Sequence, residues 1–256
     1  MPYNSRMKKL NLKSYRNRRL LAVSVLVTAL TGVIITNPNS YEQLFQQTTS
    51  ADSVVPDSSN PSNTLLASTV LTKLTIKGRA PKTGYSREEF YSGWPEIEGC
   101  SLRQRIIKRE LGENATLGDN NCTVIAGEFK EPYTGNHMTF HAKSDFSKNI
   151  QIDHVVALSD AWQKGAQYLS SETRYALATD PLNLLAVDSK TNQGKSDGDA
   201  ATWLPPNKAF RCQYIARQIS VKYKYNLWVT EAEHDAMARV LETCPHEPSV
   251  GIELKE

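Results

Sequence analysis

A short apolar run, Ile150-Gln151-Ile152, ends in the pair Asp153-His154. An imidazole of ordinary pKa is mostly neutral at pH 7 and can take a proton from water. Asp153 places a carboxylate directly beside it. A second apolar run, Pro181 to Asp188, carries Asn183. The polar stretch Ser189-Lys190-Thr191-Asn192-Gln193-Gly194-Lys195-Ser196-Asp197-Gly198 then supplies Asn192 and Lys195. Carboxylate, base, amide and ammonium in this order suit acid–base hydrolysis aided by a cation. An Asp-His pair alone is common, and a lone buried His is usually a satisfied core residue. The weight lies in the ordered set, with an apolar run ahead of each polar member.

Those residues need positioning. Neighbours on a strand point to opposite faces, so Asp153 and His154 can share a site only where the strand ends and bends. Leu102, Ile106, Ile107 and Leu111 fall at helical spacing within Ser101–Leu111. Thr123–Phe129 and His137–His141 read as a hairpin around Pro132-Tyr133-Thr134-Gly135-Asn136. Ser159–Leu169 and Ser171–Ala178 read as helices, and Lys208–Asn226 with Thr230–Thr243 as a helical pair. His137 and His141 would lie about 13 Å apart on a strand, too far to share a metal. Trp162 and Trp203 read as core residues, and Asp197 and Asp199 as helix-capping residues, with a place in a metal shell as the alternative. The class is α+β, with a small antiparallel sheet and a helix-rich C-terminal part.

The strand, strand and polar helix start resemble the HNH, or ββα-metal, nuclease motif. The run Asn192-Gln193-Gly194-Lys195-Ser196-Asp197 is similar to one in the HNH domain of CRISPR RNA-guided effectors. More widely the chain resembles secreted HNH endonuclease family proteins of actinobacteria. That likeness rests on Lys77-Gly78-Arg79-Ala80-Pro81-Lys82-Thr83-Gly84-Tyr85-Ser86-Arg87, Gly99-Cys100, Asn121-Cys122 and Pro132-Tyr133-Thr134-Gly135. It extends through Asp153–Trp162 and Asp199–Lys208, covering roughly Leu71 to Cys244. The resemblance implies a ββα-metal core with added helices. It implies His154 as the base that activates water, Asp153 and Asn192 as metal ligands, and Asn183 as an orienting residue bonded to backbone. Where the older motif ends in His, this chain has Asn192. Carboxylate and amide oxygens are hard donors, so the ion expected is Mg²⁺ or Mn²⁺.

Charge narrows how a nucleic acid would be held. The chain carries +3 overall, yet Arg6, Lys8, Lys9, Lys13, Arg16, Arg18 and Arg19 precede any acid. Taking those seven away from +3 leaves −4 for the rest. Phosphate binding must therefore use a local patch. Residues 73–109, with nine Lys or Arg against four Glu, are the richest stretch. Arg79, Lys82, Arg87 and Arg103 in it, with Lys195, are the candidate phosphate contacts.

The basic flank is followed by an uncharged apolar run of 17 residues, Leu20–Thr36. That is the pattern of a signal peptide or an N-terminal membrane anchor, and no clean cleavage site separates the two. Residues 37–68, rich in Ser, Thr, Asn, Pro and Gln, read as a flexible linker. The nuclease domain is expected over 69–246, with a tail at 247–256. The four cysteines, Cys100, Cys122, Cys212 and Cys244, contain no Cys-x-x-Cys pair and follow an export signal, which points to two disulfides. In an antiparallel helical pair Cys212 and Cys244 come level, each roughly 21 Å of helix from the connecting turn. That pairing leaves Cys100 with Cys122.

The expected activity is an exported or cell-surface, metal-dependent endonuclease. Its substrate would be DNA, with RNA open, and its sequence preference low because no base-reading helix or finger is evident. A non-catalytic surface module that kept the fold is the alternative. A toxin paired with an inhibitor has no support, since no protein partner is evident in the sequence.

Overall fold

The computed structural model describes residues 64–141 and 148–253, with side chains to residue 251. The expected anchor or signal at 1–36 lies outside the described residues, as do linker residues 37–63 and tail residues 254–256. No helix among the described residues is long and apolar enough to cross a membrane.

The chain enters as β1 (Thr64–Leu66) and α1 (Ala67–Leu71), then crosses a long basic loop. β2 (Glu96–Ile97) and β3 (Cys100–Ser101) form a short hairpin leading into α2 (Leu102–Leu111). β4 (Thr116–Leu117), β5 (Val124–Lys130) and β6 (His137–Phe140) make a three-stranded antiparallel sheet. Next come β7 (Ile150–His154), α3 (Leu158–Gln163), α4 (Ser171–Thr179), β8 (Leu184–Asp188) and α5 (Ser189–Lys195). α6 (Arg211–Lys224), α7 (Glu231–Leu241) and β9 (Pro248–Glu253) complete the fold, which is α+β.

β7 and β8 pair antiparallel, from Ile150 opposite Asp188 to His154 opposite Leu184, and α5 follows without a break. This is a ββα unit. Both faces of its ribbon are covered, which is why β8 reads as a continuous apolar run from Leu184 to Val187. Ile150, Ile152, Leu184 and Ala186 pack on α2 and the three-stranded sheet. Leu185 and Val187 pack on the opposite side against α1, α6 and α7. α2 buries Leu102, Ile106, Ile107 and Leu111 as its spacing predicts, and the Ser101 side chain caps it by accepting from the Gln104 N–H.

Two expectations need correcting. The helix expected over Ser159–Leu169 stops at Gln163, and a separate 3-10 turn covers Ala166–Tyr168. Gly165 sits between them at φ 124°, and a Cβ there would come within 3.2 Å of the Trp228 ring. The fold also reaches beyond the span 69–246. β1 pairs antiparallel with β9, and Ala67, placed in the linker by composition, is fully buried. Each strand is too short and too far from its partner in sequence for composition to reveal the pairing. The disulfides are Cys100–Cys122 and Cys212–Cys244, the second joining α6 to the end of α7.

Candidate active site

His154 closes β7 and is 5% exposed. Its Nε2 lies 2.9 Å from the Ala178 carbonyl oxygen. A carbonyl can only accept, so a neutral ring carries its proton on Nε2 and presents a lone pair at Nδ1. Trp94 lies parallel to the imidazole, with planes 8° apart and centroids 6.1 Å apart, and Tyr91 packs on it at 5.8 Å. Burial pushes the imidazole pKa down to about 3, and the positive charges of Arg87 and Lys195 push the same way against the Ala178 bond.

Asp153 belongs to the other face of the ribbon. Its Oδ2 accepts from the Tyr133 hydroxyl, and its Oδ1 from Lys195 Nζ at 2.8 Å. Lys195 also donates to the His154 carbonyl at 2.8 Å and is fully buried in its side chain. Tyr133 comes from the turn between β5 and β6, and burial pushes its phenol pKa well above the usual range, so it stays a donor.

Asn183 is completely buried behind this pair. Its Oδ1 accepts from the Val156 N–H at 2.8 Å, its Nδ2 donates to the Leu177 carbonyl at 3.2 Å, and its own carbonyl accepts from the Val155 N–H. It thus ties the chain leaving β7 to the turn entering β8. That turn is held in its place by Arg109, which donates to the Pro181 and Leu184 carbonyls, and by Arg217, which donates to Leu182. Burial lowers the Arg217 pKa to about 10.

Asn192 sits on α5, whose start is capped by Asp188 accepting from the Thr191 N–H at 2.7 Å. The Asn192 Nδ2 donates to Gln151 Oε1 at 2.8 Å, and among the described residues its Oδ1 accepts no hydrogen bond. Asp153, His154 and Asn192 open onto one cleft of about 620 Å³. The donor set fits a hard cation: a carboxylate with lone pairs to spare and a free amide oxygen. The only group of three His, Cys, Asp or Glu ligands among the described residues is Cys212, Cys244 and Glu247, where the sulfurs are already bonded to each other. An ion at Asp153 and Asn192 would therefore keep most of its water, as Mg²⁺ does.

The five expected phosphate contacts divide. Arg79 is paired with Asp199 at 2.6 Å and Asp160 at 3.1 Å, and Lys82 with Asp197 at 3.1 Å. Lys195 is buried on Asp153, which removes it from direct contact with a phosphate in the cleft. Arg87 and Arg103 both line the cleft, and among the described residues neither has a carboxylate within ion-pair distance. Among the described residues Arg87 donates to the Tyr91 hydroxyl, and Arg103 to the Ile150 carbonyl. Burial lowers the Arg103 pKa.

Several residues escaped the sequence reading. Trp94 gave no signal beyond being aromatic, and Tyr133 stood in the Pro132–Gly135 turn with no role at the site attached to it. Asp197 does not cap a helix; it lines the cleft and accepts from Ser159 Oγ at 2.9 Å. Asp199 joins a buried cluster with Asp160, Glu233, Lys164, Lys222 and Arg79. Asp160 in α3 and Lys164 just past its end, four apart, were the visible sign of it.

Residues 102–240 match the family described as GmrSD restriction endonucleases, C-terminal domain. An uncharacterized secreted protein of Arthroderma benhamiae is 37% identical over 193 residues, covering 74% of this chain and 90% of the relative. No solved structure matches significantly.

Proposed function

The chain belongs to the family of GmrSD restriction endonuclease C-terminal domains, which makes it a nuclease, and from that premise we propose an HNH-type, divalent-metal-dependent endonuclease that acts outside the cell. The carrying observation is the His154–Ala178 bond, which commits Nε2 and leaves Nδ1 as the base at the cleft. His154 Nδ1 takes a proton from the attacking water. Burial keeps the imidazole unprotonated at neutral pH but lowers its basicity, so the negative charge of a phosphate in the cleft must help it take that proton. Asp153 and Asn192 would hold the ion, Mg²⁺ or Mn²⁺, which supplies charge neutralisation at the phosphate and the departing 3′ oxygen. Arg87 and Arg103 contact phosphates on either side of the cut, where among the described residues no carboxylate pairs with either. Contacts of this kind carry no sequence information, so cleavage has low sequence preference. DNA is the proposed substrate, with RNA as the comparison to run. Two disulfides and a relative described as secreted support an extracellular site of action.

The test is plasmid cleavage by the disulfide-intact protein in Mg²⁺, in EDTA and with His154→Ala. We expect cleavage that requires both the metal and His154. Undiminished cleavage by the variant would remove His154 from the mechanism. A folded wild-type protein inert in Mg²⁺ and Mn²⁺ would favour a binding module instead.

A further inference from the structure

We propose that Tyr133 is a positioning residue for cleavage, its hydroxyl and the Lys195 ammonium together fixing the Asp153 carboxylate for the metal. This rests on the reading of Asp153 as a ligand and adds a device that sets its geometry. Tyr133 is completely buried, with its ring 5.0 Å from Trp203 and 5.7 Å from Tyr214. A phenylalanine would fill that space equally well. A buried hydroxyl costs desolvation unless it is bonded, and this one serves Asp153.

The turn that delivers Tyr133 is itself built on a buried charge. Glu131, with no exposure, accepts from the Tyr133 N–H at 2.8 Å, the Thr134 N–H at 2.7 Å and the Thr134 hydroxyl at 2.6 Å. From the outside Asn207 donates its backbone N–H to the Tyr133 carbonyl and its side chain to the Pro132 carbonyl, both at 2.9 Å. A carboxylate held by one donor can still rotate about its terminal torsion. With Lys195 on Oδ1 and Tyr133 on Oδ2 it cannot, and the remaining lone pairs are left for the cleft. The site's orientation is thus set from the β5–β6 turn, an element that carries none of the motif residues.

The test is Tyr133→Phe in the full chain with both disulfides, read first by Mn²⁺ binding from the EPR signal of the free ion. Partners that orient metal ligands are typically worth about 10–100-fold in affinity or activity. We expect Mn²⁺ binding at least about 10-fold weaker, an unchanged KM for DNA, and cleavage regained as Mg²⁺ is raised in proportion. A merely structural hydroxyl would lower the melting temperature but leave the metal affinity of the folded protein untouched, and that result would overturn the proposal. Asn207→Ala, which keeps the hydroxyl but loosens its turn, should show a smaller loss of the same kind, and covers the case in which the Phe variant does not fold. Wild-type protein that binds no Mn²⁺ would sink the metal reading and this proposal together. Equal binding by wild type and Tyr133→Phe would sink this proposal alone.

Discussion

At the scale of single residues, the imidazole of His154 links catalysis to acid stability. Its folded pKa of about 3 lies below the unfolded value near 6.5, so unfolding takes up a proton between those two pH values. Stability is therefore lost as pH falls below about 6.5, and the loss continues toward pH 3. His154→Gln keeps a donor for the Ala178 carbonyl and removes the titration. Thermal melts from pH 7 to pH 4 should fall more steeply for the wild type than for this variant. Asp199, whose pKa is lowered mainly by its bonds to Lys164 and Arg79 working against burial, adds acid sensitivity equally to both proteins. Parallel melting curves would contradict the burial argument. The residue types of this site were legible because Asp, His and Asn stand out against apolar runs. Which nitrogen of His154 is committed was not, because Ala178 is a backbone contact that no residue type announces.

At the scale of elements, the ββα unit depends on Asn183 and on the end of α5. Asn183→Ala leaves the buried Val156 N–H without its acceptor, a loss of about 1–3 kcal/mol. Denaturant unfolding should show that loss, and cleavage should fall with it although Asn183 touches no substrate. A stability-neutral variant would show that the Val155–Val156 bend holds itself. The far end of α5 offers the opposite change. Ser196 caps it at φ 54°, ψ −125°, nearly the angles of Gly112 at the end of α2, φ 55°, ψ −131°. Ser196→Gly should therefore stabilise the protein by about 1 kcal/mol, with a raised melting temperature as the readout. No gain would mean that solvent-exposed Ser196 bears the conformation without strain. β5 to β8, α2 and the C-terminal helical pair were legible from period and spacing. The break at Gly165 was not, because its cause is the Trp228 ring from a distant part of the chain.

At the scale of the whole molecule, the parts are joined by charge as much as by apolar surface. Lys164, fully buried, lies 2.7 Å from Asp160, 2.7 Å from Asp199 and 2.6 Å from Glu233. Lys222 and Arg79 complete a cluster of three cations and three anions that ties α3, α6 and α7 to the basic loop. Removing one member of such a set strands its partners, so Lys164→Met should cost about 3–5 kcal/mol, measured by denaturant unfolding. A smaller loss would mean that water reaches the acids. Composition hid this cluster, since buried and solvated charges look alike in a sequence, whereas cysteine count and helix geometry made the Cys212–Cys244 bridge visible. The pairing of β1 with β9 has a consequence in time. Thr64 meets Glu253 and Leu66 meets Pro248, so β1 has no partner until Pro248–Glu253 have been made. A chain emerging from its N-terminus can assemble the ribbon and the helices around the cleft beforehand. Closure of this pair waits for β9, and a chain cut short before Pro248 would leave β1 an open edge, ready to pair with the wrong neighbour.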